Sequence, residues 1–130
     1  MSITISVNVA PGELVDKITI LEIKLERIED ETKLTNIRRE YDTLNAARDD
    51  AIPKSKNLDQ LTANLKQIND ALWKIEDDIR DCERAKTFGE EFIGLARAVY
   101  VTNDKRMAIK RQINDLLGSV LVEEKSYAAY

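Results

Sequence analysis

Histidine is absent from this chain of 130 residues, and cysteine occurs once, as Cys82. That removes a histidine general base, a Ser-His-Asp triad, a zinc site of histidine type and a histidine pH switch. A single thiol forms no intrachain disulfide and no Cys-x-x-Cys pair. Chemistry is left to carboxylates, Lys, Arg, Tyr and hydroxyls, and their spacing singles out three places.

The first is acidic. The run Ile75–Glu83 carries Glu76, Asp77, Asp78, Asp81 and Glu83, and Glu22, Glu26 and Glu29 recur at i, i+4, i+7 earlier in the chain. Counting helical levels from the turns sets the run beside Glu29, Asp30 and Glu31 and opposite Arg97, roughly 17 Å from the basic run Lys105–Arg111. Oxygen ligands suit hard divalent cations, so Glu26, Glu29, Glu76 and Asp78 are candidate ligands for Mg²⁺. The plainer reading is solvated helix faces joined by i to i+4 pairs such as Glu76–Arg80 and Glu13–Lys17.

The second place is Asn103, Arg106 and Lys110. They continue a helical stripe begun by Phe92, Ala96 and Val99 and resumed by Ile113 and Leu117. Polar groups at core-facing positions are costly unless paired. They read either as an anion pocket, with Arg as a fork and Lys as a point charge, or as side chains turned outward by a kink near Thr102–Asn103. The third place is apolar: Trp73, Ile20 and Ile23 lie off the main stripes of their helices and mark a second contact surface. Gly89–Gly94 is followed by Leu95 rather than Lys, so it is not a phosphate-binding P-loop.

Four helices must position these groups. Ile3, Ile5, Val7 and Val9 alternate with polar residues, which predicts a strand over 2–9. Pro11 opens a helix over about 11–29 with the seam Leu14, Ile18, Leu21, Leu25, Ile28. Asp30 caps a second helix, about 31–51, carrying Leu34, Ile37, Tyr41 and Leu44; one unbroken helix with a phase slip is the competing reading. Asn57 and Gln60 form a capping-box-like start to a third helix, about 58–87. Its seam, Leu58, Leu61, Leu65, Ile68, Leu72, Ile75, Ile79 and Cys82, steps three-four throughout in the manner of a coiled coil. A fourth helix covers about 90–117, stopped by Gly118. A tail, 119–130, follows. The strand needs a partner: the segment near 119–125, or the same strand of another copy.

Composition agrees with one helical-bundle domain over 1–130: 43% hydrophobic and 34% charged, with four Gly and two Pro. The net charge of −4 and pI near 5.0 argue against nucleic acid or an anionic membrane as partners. Met1–Ala10 has no basic n-region, and no stretch is apolar for long enough to span a bilayer, so a soluble cytoplasmic protein is expected.

Two segments carry a family resemblance. They are Pro11-Gly12-Glu13-Leu14-Val15-Asp16-Lys17-Ile18-Thr19-Ile20-Leu21-Glu22-Ile23-Lys24 and Leu72-Trp73-Lys74-Ile75-Glu76-Asp77-Asp78-Ile79-Arg80, the latter continued by Leu95-Ala96-Arg97, Asn103-Asp104, Ile109-Lys110-Arg111 and Glu123-Glu124-Lys125-Ser126-Tyr127. Over nearly the whole chain it resembles a family of small, helical, uncharacterised bacterial and phage-type proteins, a domain of unknown function. The resemblance implies no activity. It does imply that Glu76, Arg80, Arg97, Asn103, Asp104, Arg106, Lys110 and Glu124 belong to a family pattern. A weaker likeness is to all-α nucleoside triphosphate pyrophosphohydrolases, through Glu26-x-x-Glu29 and Asp78-x-x-Asp81. There the doubled Glu before the first motif is missing, and Asp stands where the second motif has Glu.

The sequence therefore leads to these expectations. The fold is mainly α, an antiparallel bundle of about four helices plus a short N-terminal β-strand. The protein is a non-catalytic oligomeric assembly or binding protein, a homodimer or larger, without a cofactor. Glu76, Arg80, Arg97, Asn103, Arg106 and Lys110 are candidates to bind a small anionic ligand, and Trp73, Ile20 and Ile23 to form an interface. The alternative is a Mg²⁺-dependent nucleotide or phosphate-ester hydrolase.

Overall fold

The computed structural model describes residues 2–130, and several helix boundaries have a local cause. α1, Pro11–Arg27, begins with Pro in its first turn, where a missing N–H costs nothing. Its end at Ile28 is extended, and Asp30 then caps α2, Glu31–Ala51, by accepting from the Lys33 N–H at 2.9 Å. α1 and α2 are thus separate helices, as the Asp30 cap indicates, and the competing unbroken helix does not form. α3, Lys56–Ala85, starts earlier than the Asn57–Gln60 pattern indicates, because the Ser55 hydroxyl takes the Leu58 N–H at 3.1 Å. α4, Glu90–Leu116, ends at Gly118, whose φ of 66° lets the Ser119 N–H reach back to the Asn114 carbonyl at 2.9 Å.

The helices form a bundle, with α1 at its centre. α1 packs against α2, α3 and α4, α3 packs along α4, and α2 packs on α1 alone. No residue of α2 is buried; Leu34, Ile37, Tyr41 and Leu44 form its half-buried stripe. By contrast α1 buries Val15, Ile18, Leu21 and Ile23, which lie on more than one side of the helix. A helix with neighbours on three sides needs apolar groups nearly all round. That accounts for Ile23, expected at an outer surface but 1% exposed in the chain itself. The apolar core joins Val15, Leu58, Leu65 and Ile113, with Ile52, Leu61, Ile109 and Leu117 packed against it. Cys82 is free and buried near the far end of the α3 seam.

Helical levels behave differently in the two pairings of α1. Along α4 the order is regular and antiparallel, with Gly12 against Asn114 and Asp16 against Arg106. Against α3, residues from Asp16 to Arg27 meet only Lys66, Asn69 and Asp70 through polar contacts. α1 therefore crosses α3 obliquely, as side-chain ridges settling into grooves require. The expected level of Glu29–Glu31 with Ile75–Glu83 is corrected: the end of α1 lies against Lys66 and Asp70 instead.

The expected strand over 2–9 does not form, and among the described residues there is no strand at all. Residues 2–9 are exposed, with Ile3, Ile5, Val7 and Val9 between 51% and 83% accessible. Their proposed partner in the tail is engaged elsewhere. The tail runs back along α4, where Glu123 reaches Lys110, Glu124 reaches Arg111, and the Tyr130 hydroxyl donates to Asp104 at 2.6 Å. The acidic tail follows the basic helix, and an uncharged segment has nothing comparable to hold it. No helix of the described residues is long and apolar enough to cross a membrane.

Candidate functional site

Where α1, α3 and α4 meet, the core becomes polar. Asp16 is 0% exposed. Its Oδ1 accepts from Asn69 Nδ2 at 2.9 Å and from Arg106 Nε at 3.0 Å, while Oδ2 accepts from Arg106 Nη2. The guanidinium thus holds the carboxylate as a two-pronged fork, the strongest common form of this pair. Thr19 Oγ1 donates to the Asp16 carbonyl at 2.8 Å and accepts from Asn69 Nδ2 at 3.0 Å. One turn along α4, Lys110 Nζ donates to Glu13 at 2.7 Å and to Glu123 at 3.2 Å, and lies 4.0 Å from Asp16. No buried side-chain polar atom among the described residues lacks a partner. A fully satisfied network of this kind fixes the register of three helices, whereas a half-satisfied one would be costly.

Electrostatics follow from these contacts. The hydrogen bond to Asp16 raises the Arg106 pKa above its ordinary value despite desolvation. Burial pulls the Lys110 pKa down, but Glu13, Asp16 and Glu123 together outweigh it and leave the ammonium above its usual range. Both groups are therefore held as cations, neutralised from inside the chain.

Gly12 makes the close approach of α1 to α4 possible. Its N–H donates to Asn114 Oδ1 at 2.7 Å, and a Cβ there would sit 2.5 Å from the Lys110 carbonyl oxygen.

Beside the polar junction opens a groove of about 420 Å³. Ile20, Ile23, Leu72 and Trp73 form its apolar floor, and Asn69 and Arg106 join it to the polar network. Glu76, Asp77, Arg80 and Asn103 stand around it. Arg80 is engaged by its own helix: Nη1 donates to the Glu76 carbonyl at 3.0 Å and pairs with the Glu76 carboxylate.

The groove thus gathers Glu76, Arg80, Asn103 and Arg106 of the expected ligand set. Arg97 is exposed and is not part of it. Lys110 lies in a neighbouring hollow of about 240 Å³ with Glu13 and Glu123. Of the expected interface residues, Trp73 and Ile20 are half-buried in the groove and Ile23 is buried beneath it. The expected metal ligands stay apart. Glu26 pairs with Lys66, Glu76 with Arg80, and Asp78 with Lys74 at 3.0 Å, while Glu29 is exposed. Among the described residues no group of three or more acidic or cysteine side chains is placed to hold a metal ion.

Asp16, Thr19, Asn69 and Asn114 were not singled out in the sequence, although each is buried. The available signal was local: Asp16 falls between Val15 and Ile18, and Asn69 directly follows the seam residue Ile68. A polar residue one step off an apolar stripe, repeated on each of several helices, marks a shared polar contact.

No curated protein and no solved structure matches the chain. A family model does match, over residues 5–130, so the match takes in all four helices and the groove. The chain belongs to a family of unknown function (DUF6165).

Proposed function

We propose that the chain is a non-catalytic binding module that assembles with further copies of itself, using the face that carries the groove. One observation carries this reading. The floor of the groove is apolar and includes the only Trp of the chain, while Arg106, Arg80 and Glu76 around it are already engaged by partners within the chain. A catalytic centre needs groups held ready for charge that develops in a transition state. An apolar centre with its neighbouring arginines already paired and an aromatic anchor is instead the make-up of a protein interface. Measuring mass by light scattering across a concentration series tests the reading. A multiple of the 14.8 kDa chain mass is expected. A monomer at every concentration overturns it.

A further inference from the structure

We infer that the groove floored by Trp73 is the seat of the extended N-terminal segment of a second copy, exchanged reciprocally between two chains. This rests on the self-assembly reading above and names its partner surface. From Met1 to Gly12 no side chain is charged, the longest such run in the chain. Within it Ile3, Ile5, Val7 and Val9 all stand exposed, and among the described residues the segment 2–9 takes no backbone hydrogen bond. Extended peptides dock by placing alternate side chains in pockets while amides on the rim meet the backbone. The groove offers both. Its floor is Ile20, Leu72 and Trp73, and the Asn103 amide stands beside it, the Asn69 Nδ2 being taken by Asp16 and Thr19.

Charge agrees with this occupant. Arg106 and Arg80 are neutralised by Asp16 and Glu76, so the groove has no surplus cation calling for an anion, and its remaining charge, Asp77, is exposed to solvent. Reciprocal exchange also closes the assembly at two chains. The segment leads away from its own bundle: Ala10, held extended ahead of Pro11 at ψ 144°, hands over to residues that are exposed throughout.

The only Trp of the chain makes the test direct, because its emission reports on the groove. Mass and Trp73 emission are followed together over a concentration series for the full chain, for Ile5→Lys and for Val120→Lys. Positions 5 and 120 are 83% and 95% exposed, so neither change disturbs the fold of one chain. The expected result is a doubling of mass with a coincident blue shift of Trp73 in the full chain and in Val120→Lys. In Ile5→Lys both move to concentrations ~30-fold higher or more, since an unpaired charge cannot enter an apolar seat. If the full chain doubles in mass but Ile5→Lys leaves mass and emission unchanged, this inference is overturned while self-assembly stands. If the full chain stays monomeric, both fail. A monomer whose Trp73 emission responds to Ile5→Lys shows the segment in its own groove and likewise overturns the exchange.

Discussion

The carboxylate of Asp16 in α1 is gripped by both Nε and Nη2 of Arg106 in α4, ninety residues further along the chain. Asp16 is wholly buried, and the Arg106 side chain is 30% exposed. Removing one partner of such a pair leaves the other charge buried without compensation. Asp16→Ala is therefore expected to lower stability by about 3–5 kcal/mol. Arg106→Met in the same background is expected to cost less than it does alone, because the charge it would strand is already gone. Urea denaturation of the two single variants and the double variant checks this. Additive effects would show that the pair is not coupled.

Gly12→Ala separates helix propensity from packing. In an exposed helix Ala is favoured over Gly by about 1 kcal/mol. Here the added Cβ would meet the Lys110 carbonyl oxygen at 2.5 Å and Asn114 Oδ1 at 2.8 Å, and the first is backbone that cannot swing aside. The expected net effect is destabilisation by ~1–3 kcal/mol, with loss of the bond from the Gly12 N–H to Asn114. A rise in melting temperature for this variant would show that α1 and α4 are not in such close contact.

Stability is expected to fall on the alkaline side. Arg106 and Lys110 both bind their protons more tightly in the folded chain, Arg106 through its bond to Asp16, and Lys110 because Glu13, Asp16 and Glu123 outweigh its desolvation. A raised folded pKa gives stability that is fully present below the unfolded value, 10.5 for a lysine, and lost as pH climbs through the folded one. Unfolding free energy measured from pH 9 upward should decline beyond this point. Lys110→Gln should flatten part of the decline. A wild-type curve that is level or rising there contradicts the buried-cation arrangement.

Magnesium, alone or with a nucleoside triphosphate, is expected to leave the melting temperature unchanged. Glu26, Glu76 and Asp78 each face a different cation of the chain, so no shared site draws them to a metal. A ligand present at a hundred times its dissociation constant would add about 2.7 kcal/mol of stability, enough to be seen in thermal unfolding. A shift that saturates with Mg²⁺ would return the hydrolase reading to the front.

Helix identity, the Asp30 cap, the stop at Gly118 and the α3 seam from Leu58 to Cys82 were legible in the sequence. Each follows from local chemistry: a side chain reaching a nearby N–H, a residue able to take positive φ, or apolar groups repeating on one face. The expected strand over 2–9 was read from the same kind of pattern, yet alternation records only a tendency. A strand needs a second strand, and the tail that could have served is tied to α4 by Glu123 and Glu124.

What only the tertiary structure decided is which faces meet. The three-four spacing of α3 shows that it packs, but not that α1 crosses it obliquely at Lys66–Asp70 while α2 rests on α1 alone. Crossing angles arise from the shapes of two surfaces together, and neither helix carries them by itself. For the same reason the partner of Asp16 could not be read from its neighbours in sequence. A buried charge needs an opposite one close by in space, and the fold brings Arg106 there from the last helix.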